Sequence, residues 1–340
     1  MTTEQGYKTI LSVDGGGIRG LIPARILLEL ESLTNKRIGE LFDLIVGTST
    51  GGILAAGLAR PENEQTEGPC SAEELVKLYS ERGREIFSRS FWKGVTSLGG
   101  LSDEKYDAAP LESILEEILG GTELKDTVPD IIVTSYDIER REPYLFKTSK
   151  ARTEENGRNH LLRHVARATS AAPTFFEVFL LDEKQWKGEQ DNRRALVDGG
   201  VFASNPSMIA LSEALSSGTD MNEILLCAVG TGMNDRAIPY EEAKDWGPLS
   251  WARPVISVMM DGTSDSAHYH ARRLLSDSDD DSREQQYFRF DIRLEDALDD
   301  LDAAHRANVN ALLHEAEKIM EEQKDELKRL VNMLVKRADG

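Results

Sequence analysis

The chain has 340 residues, 40% hydrophobic and 29% charged, with 60 acidic side chains against 40 basic ones and a net charge of −20. This suits a globular protein with a substantial core, and the acid excess speaks against nucleic acid as a partner and against electrostatic docking to anionic lipid. No apolar run reaches transmembrane length, and residues 1–8 show no basic flank leading into an apolar core, so neither a span nor a secretory leader is expected. The two cysteines, Cys70 in a polar stretch and Cys227 in an apolar one, suggest neither a disulfide framework nor a metal, which makes a cytoplasmic location the expectation.

Residues 7–13 (YKTILSV) read as a strand that ends in Asp14-Gly15-Gly16-Gly17-Ile18-Arg19-Gly20. Residues 22–33 carry apolar side chains at helical spacing, with Pro23 in the first turn, where its missing N–H costs little. A second apolar run, residues 41–46, leads into Gly47-Thr48-Ser49-Thr50-Gly51 and then a small-residue helix over 53–58. Two strand–loop–helix units in succession predict a parallel sheet with helices on its faces, both loops opening at the carboxyl edge where ligands bind.

Residues 61–70 read as a loop, and Ser71-Ala72-Glu73-Glu74 as a capping box opening a helix to about residue 87. Residues 91–101 read as core or a loop anchor, with a mobile lipid-facing cover over the site as the alternative. A helix over 110–119 is ended by Gly120-Gly121, strands follow at 130–136 and 143–148, and a helix over 161–171 is stopped by Pro173. A short strand at 195–197 runs into Asp198-Gly199-Gly200, and Asn205-Pro206 opens a helix to about 215. A buried strand over 223–229 ends in Gly230-Thr231-Gly232.

Helical character is expected from about 250 and again over 264–275, followed by a solvated acidic loop at 277–282. Residues 286–294 alternate, with Phe288, Phe290, Ile292 and Leu294 on one face and Arg289, Asp291 and Arg293 on the other, which predicts a half-buried strand near a sheet edge. Residues 304–336 read as one long amphipathic helix packed on the body, a dimer interface being the less favoured alternative. With no repeat and no linker, a single domain over 1–340 is expected, with a catalytic core at about 7–235 and a C-terminal helical and edge-strand extension at about 236–340.

Gly47-Thr48-Ser49-Thr50-Gly51 fits the Gly-X-Ser-X-Gly nucleophile elbow, whose glycines make room for a sharp strand-to-helix turn. Ser49 would sit at the positive end of a helix dipole, where developing negative charge is favoured. An ester hydrolase also needs a base and donors for the oxyanion. The backbone N–H groups of Gly15, Gly16 and Gly17 are unobstructed donor candidates, while Arg19 either lends charge or ties the loop down. Of the six histidines, His160, His164, His268, His270, His305 and His314, none follows a strand with flanking glycines. Asp198 does, so a Ser49–Asp198 dyad is better supported than a Ser-His-Asp triad, although an Asp-Gly turn is common without function. A dinucleotide site at Gly15-X-Gly17-X-X-Gly20 would need an acid ending the second strand, which ends instead in Gly47-Thr48-Ser49.

Together, in this order, the Asp14–Gly20, Gly47–Gly51 and Asp198–Gly200 motifs resemble those of the patatin-like phospholipase family. The likeness continues through residues 170–176, Gly230-Thr231-Gly232 and residues 242–249. The resemblance implies a three-layer α/β/α sandwich with a mostly parallel sheet and hydrolysis of fatty acyl esters without metal or other cofactor. It assigns Ser49 and Asp198 as catalytic dyad and Gly15, Gly16, Gly17 and Arg19 to the oxyanion hole, with Gly20, Gly47, Gly51, Gly199 and Gly200 completing the motifs. It implies a phospholipid or another acyl-ester lipid as substrate, with peripheral contact at membranes, and leaves the oligomeric state open. A catalytically weak storage or binding protein is the remaining alternative.

Overall fold

A computed structural model describes residues 8–63, 66–87, 106–153, 158–182, 193–233, 237–251, 254–276 and 286–338. The segments 91–101 and 277–282 lie outside the described residues. Its sheet comprises β1 (Thr9–Val13), β2 (Leu44–Thr48), β3 (Asp130–Asp137), β4 (Glu142–Lys147), β5 (Phe179–Leu181), β6 (Arg194–Asp198), β7 (Leu225–Val229) and β8 (Tyr287–Phe290). The order is β8-β7-β1-β2-β3-β6-β5, with β4 also on β3. From β8 to β3 every pairing is parallel, whereas β4, β5 and β6 pair antiparallel.

Successive strand residues divide between two cores, as a period of two requires. Leu11, Val13, Ile45, Ile131, Val133, Cys227 and Val229 face one core, and Ile10, Leu44, Val46, Ile132, Leu226 and Ala228 face the other. Burial on both faces is why these strands read as unbroken apolar runs. Over the first face lie α1 (Leu21–Thr34), α2 (Thr50–Leu58), α3 (Ala72–Ile86), α4 (Ala109–Leu119) and α5 (Leu162–Thr169). Over the second lie α6 (Ser207–Ser216) and the C-terminal part of α7 (Pro254–Leu275). The result is the expected α/β/α sandwich. The capping box is formed: the Glu74 N–H donates to Ser71 Oγ at 3.1 Å and the Ser71 N–H to Glu74 Oε2 at 2.7 Å.

Four expectations are corrected. The C-terminal amphipathic stretch is two helices, α8 (Arg306–Glu322) and α9 (Lys324–Ala338), both packed on α1. No Gly or Pro marks the break; the Gln323 side-chain amide turns aside to the Asp291 carbonyl at 3.2 Å. Residues 254–275 form one continuous helix, the interior Gly262 costing about 1 kcal/mol without breaking it. Residues 61–70 include a small hairpin, Glu62–Asn63 with Thr66–Glu67, and Cys70, within that polar stretch, is buried against Gly57. Finally, β8 has no solvated face, because Arg289 is nearly buried between two carboxylates.

One feature of the sheet positions the site. β2 runs along one edge of β3 from Asp130 to Thr134, ending with Thr48 opposite Thr134. β4 occupies the opposite edge of β3, so β6 must continue on β2's edge, where Asp198 stands opposite Ser135. The carboxyl ends of β2 and β6 therefore meet head-on at neighbouring register positions.

Candidate active site

Ser49 is a nonglycine residue at φ 54° and ψ −121°, a conformation held only where the surroundings enforce it. The enforcement is steric and polar. A Cβ on Gly47 would overlap the Gly51 carbonyl, and one on Gly51 would overlap the Val13 carbonyl, so the turn closes only with bare backbone at both positions. The Ser49 N–H donates to Thr169 Oγ1 at 2.8 Å, and Thr50 Oγ1 hydrogen-bonds the Tyr79 hydroxyl. Ser49 thus projects from the first turn of α2, where unpaired helix N–H groups favour negative charge.

Asp198, 4% exposed, is brought to the same point by the abutting strand ends. Its carboxylate accepts the Gly200 N–H at 2.7 Å, and it lines the same cavity as Ser49. Burial raises its pKa from 3.8 to about 6, and the Ser49 hydroxyl and the Gly200 N–H limit the rise. A Cβ on Gly199 would collide with Thr134 Oγ1, so the Asp-Gly-Gly turn can pass β3 only as glycine. Thr134 Oγ1 in turn lies 2.8 Å from Thr48 Oγ1, which itself donates to the Ala203 carbonyl at 2.7 Å. This hydroxyl pair locks the two strand ends together.

The glycine loop after β1 lies beside Ser49. Its amides are not equivalent. The Gly15 N–H is committed to the Ser204 carbonyl at 2.9 Å, which removes it from the donor set expected from the sequence. Among the described residues the Gly16 and Gly17 N–H groups have no hydrogen-bond partner, and both residues line the cavity with Ser49. Gly17 is at φ +57°, and a Cβ there would overlap the Leu301 carbonyl. Arg19 resolves the open alternative: its buried guanidinium donates from Nη1 to the Gly232 carbonyl at 3.0 Å and anchors the loop instead of facing the cavity. Asp14, whose pKa burial raises to about 6 against the pull of Arg289, opens the loop.

The cavity beside these groups holds about 1030 Å³ of empty space, its open mouth included. Ser49, Asp198, Gly16 and Gly17 form its polar corner, and Ile53, Ile86, Phe87, Leu111, Phe175, Phe176 and Met260 supply apolar wall, which suits a hydrocarbon chain with one polar end. None of the six histidines lines it. His160 is buried against Tyr144, with Nε2 3.1 Å from the hydroxyl, and the His164 ring lies tilted against Phe179. His268 pairs with the Tyr287 hydroxyl at 3.0 Å, His270 with the Ser266 carbonyl, His305 caps α8, and His314 is exposed. Among the described residues no three metal-ligating side chains converge, and no helix is long and apolar enough to cross a membrane. Sequence reading missed Thr169, Thr134 and Arg289, because a lone threonine or an alternating arginine carries no motif.

A strained serine at a strand-to-helix elbow thus shares the polar corner of an apolar cavity with a buried carboxylate and the Gly16 and Gly17 backbone. The family model described as patatin-like phospholipase matches residues 11–211, and the chain belongs to that family. It is 34% identical over 298 residues to patatin-like protein 2 of Oryza sativa subsp. indica, covering 79% of this chain and 73% of that one. It is also 33% identical over 269 residues to a probable inactive patatin-3-Kuras 1 of Solanum tuberosum, covering 73% of this chain and 69% of that one. Among solved structures, VipD from Legionella pneumophila is similar at 10% identity with a TM-score of 0.42, covering 92% of this chain and 67% of that one. Membership of the family supports lipid acyl hydrolase activity on lipid ester substrates.

Proposed function

We propose that this protein hydrolyses fatty acyl esters of phospholipids or related lipids through a Ser49–Asp198 dyad. The Ser49 oxygen attacks the ester carbonyl while its proton passes to Asp198. The carbonyl oxygen becomes an oxyanion that accepts hydrogen bonds from the Gly16 and Gly17 amides, donors worth about 10²–10³ in turnover each. Collapse expels the alcohol, which takes the proton from Asp198 and leaves an acyl-Ser49. Water then attacks that ester with Asp198 again as base, releasing the fatty acid and the free serine. A carboxylate with pKa about 6 is ionised at neutral pH yet basic enough to take part, which an ordinary aspartate is not. The single supporting observation is the placement of a buried Asp198 with Ser49 at the polar corner of an apolar cavity, where the serine hydroxyl favours the ionised carboxylate.

Residues 7–235 and 236–340 act as one catalytic unit in this reading, since α7 supplies Met259 and Met260 to the cavity wall. Contact with a lipid surface runs through the outer face of that helix, where Val255, Val258 and Met259 are exposed next to Trp251. The protein works in the cytoplasm, peripherally at membranes. The relative named as inactive keeps one alternative in view, a lipid-binding protein of this fold without turnover. Incubation with mixed phospholipids and galactolipids, followed by mass spectrometry of the products, decides between them. Free fatty acid released by the wild type and not by Ser49→Ala supports hydrolysis, and intact lipids with a folded wild type support the binding protein.

A further inference from the structure

Three consecutive glycines make a flexible loop, and unconstrained amides are poor oxyanion donors because their orientation must be fixed before charge develops. The loop from Asp14 to Gly20 must therefore be held from outside. At its start, Arg289 grips the Asp14 carboxylate with both guanidinium arms, Nη1 to Oδ1 at 3.0 Å and Nη2 to Oδ2 at 2.6 Å. The same Nη2 reaches Asp291 Oδ2 at 2.5 Å. Asp291 Oδ1 accepts the Gly232 N–H at 3.0 Å, and the Gly232 carbonyl accepts Arg19 Nη1 from the far end of the loop. Between those ends, the Ile18 N–H donates to the Leu301 carbonyl at 2.9 Å.

One guanidinium therefore closes a ring of contacts around both ends of the donor loop. Arg289, Asp291 and Leu301 all lie beyond residues 11–211, the part of the chain that the family model matches. None of the three contacts is a packing accident of an exposed chain: Asp14 and Asp291 are buried, and Arg289 keeps only 12% of its side chain exposed. A buried arginine bonded bidentately is specific in geometry as well as charge, and a lysine cannot reproduce the fork. Removing it would leave two buried carboxylates side by side with no cation between them, which forces one to protonate or the strand ends to part.

We propose that Arg289 is a positioning residue that fastens both ends of the amide-donor loop through Asp14 and Asp291. It does not line the cavity and acts only through its neighbours. The inference rests on the amide-donor role proposed above for Gly16 and Gly17. Arg289→Met is expected to lower kcat on a soluble short-chain ester about 10²-fold while KM stays within about threefold, the signature of lost transition-state stabilisation. Affinity for a trifluoromethyl ketone, whose tetrahedral adduct needs the same donors, falls in step. Arg289→Lys restores part of kcat and Asp291→Asn loses less than Arg289→Met; these two carry the test if the methionine variant does not fold. Hydrogen exchange of the peptide over residues 14–20 speeds up in every variant, a readout independent of turnover. Wild-type kcat per folded molecule, a loss confined to KM, or unchanged exchange in that peptide would overturn the proposal. A wild type that exchanges as expected but hydrolyses nothing would instead sink the dyad reading and leave the clamp standing.

Discussion

Replacing Asp198 with asparagine is expected to inactivate the protein and to stabilise it. The carboxylate is 4% exposed and its pKa in the folded chain is about 6, against an unfolded value of 3.8. A group whose folded pKa is raised contributes most favourably below its unfolded pKa, and that contribution is lost as pH rises through the folded value. The ionised form thus costs the fold about 1 kcal/mol near pH 4.5 and about 3 kcal/mol near pH 7.5. Asparagine keeps the shape and an oxygen for the Gly200 N–H, carries no charge, and can donate to the Ser49 oxygen. Asp14 also titrates near 6, but it does so in both proteins and cancels. Urea unfolding at both pH values reads the difference. The variant should be the more stable by about 3 kcal/mol near pH 7.5, worth about 4 °C in Tm, and the gap should shrink towards about 1 kcal/mol near pH 4.5. Turnover should fall by at least about 10²-fold. A variant no more stable than the wild type near pH 7.5, or a gap indifferent to pH, would refute the reasoning, because Asp198 would then not be a desolvated base.

The pH dependence of kcat/KM should show one ascending limb with a midpoint of about 6 and a plateau above it, since Asp198 must be ionised to accept the proton; a limb with its midpoint below about 4.5 would contradict this. Replacing His268 and His270 together by alanine should leave activity within about threefold, as neither ring lines the cavity, and a complete loss would revive the triad. Val255→Glu with Val258→Glu should spare hydrolysis of a soluble short-chain ester and cut that of phosphatidylcholine vesicles about tenfold or more. Equal losses on both substrates would place the lipid contact elsewhere. Gly17→Ala, which sets a methyl against the Leu301 carbonyl at a positive φ, should lower kcat about 10²-fold; near-normal kcat would remove Gly17 from the donor set.

What could be read from the residues follows from how local each constraint is. The strands were legible because burial on both faces leaves apolar runs such as Leu225–Val229, and the two turns because only glycine fits where a Cβ would meet backbone, as at Gly47 and Gly51. Long-range hydrogen bonding was not legible. That Gly15 spends its N–H on Ser204 while Gly16 keeps its own depends on a carbonyl far along the chain. Arg289 illustrates the same limit: alternation marks it as solvent-facing, and only Asp14 and Asp291, brought in by the fold, turn that face inward. The break at Gln323 likewise has a tertiary cause, a side-chain amide drawn to the Asp291 carbonyl, and no local sign.

A Ser49–Asp198 dyad requires two strand ends to meet. Its geometric basis is that β4 fills one edge of β3, leaving β2 and β6 to share the other. The chemistry that this geometry would serve is reached most directly by a fluorophosphonate probe, read out by peptide mass spectrometry on the folded wild type and on Asp198→Asn. The account predicts a single adduct on Ser49 in the wild type and labelling slowed at least about 10²-fold in the variant. A folded wild type that stays unlabelled, or an adduct on another residue, would contradict it.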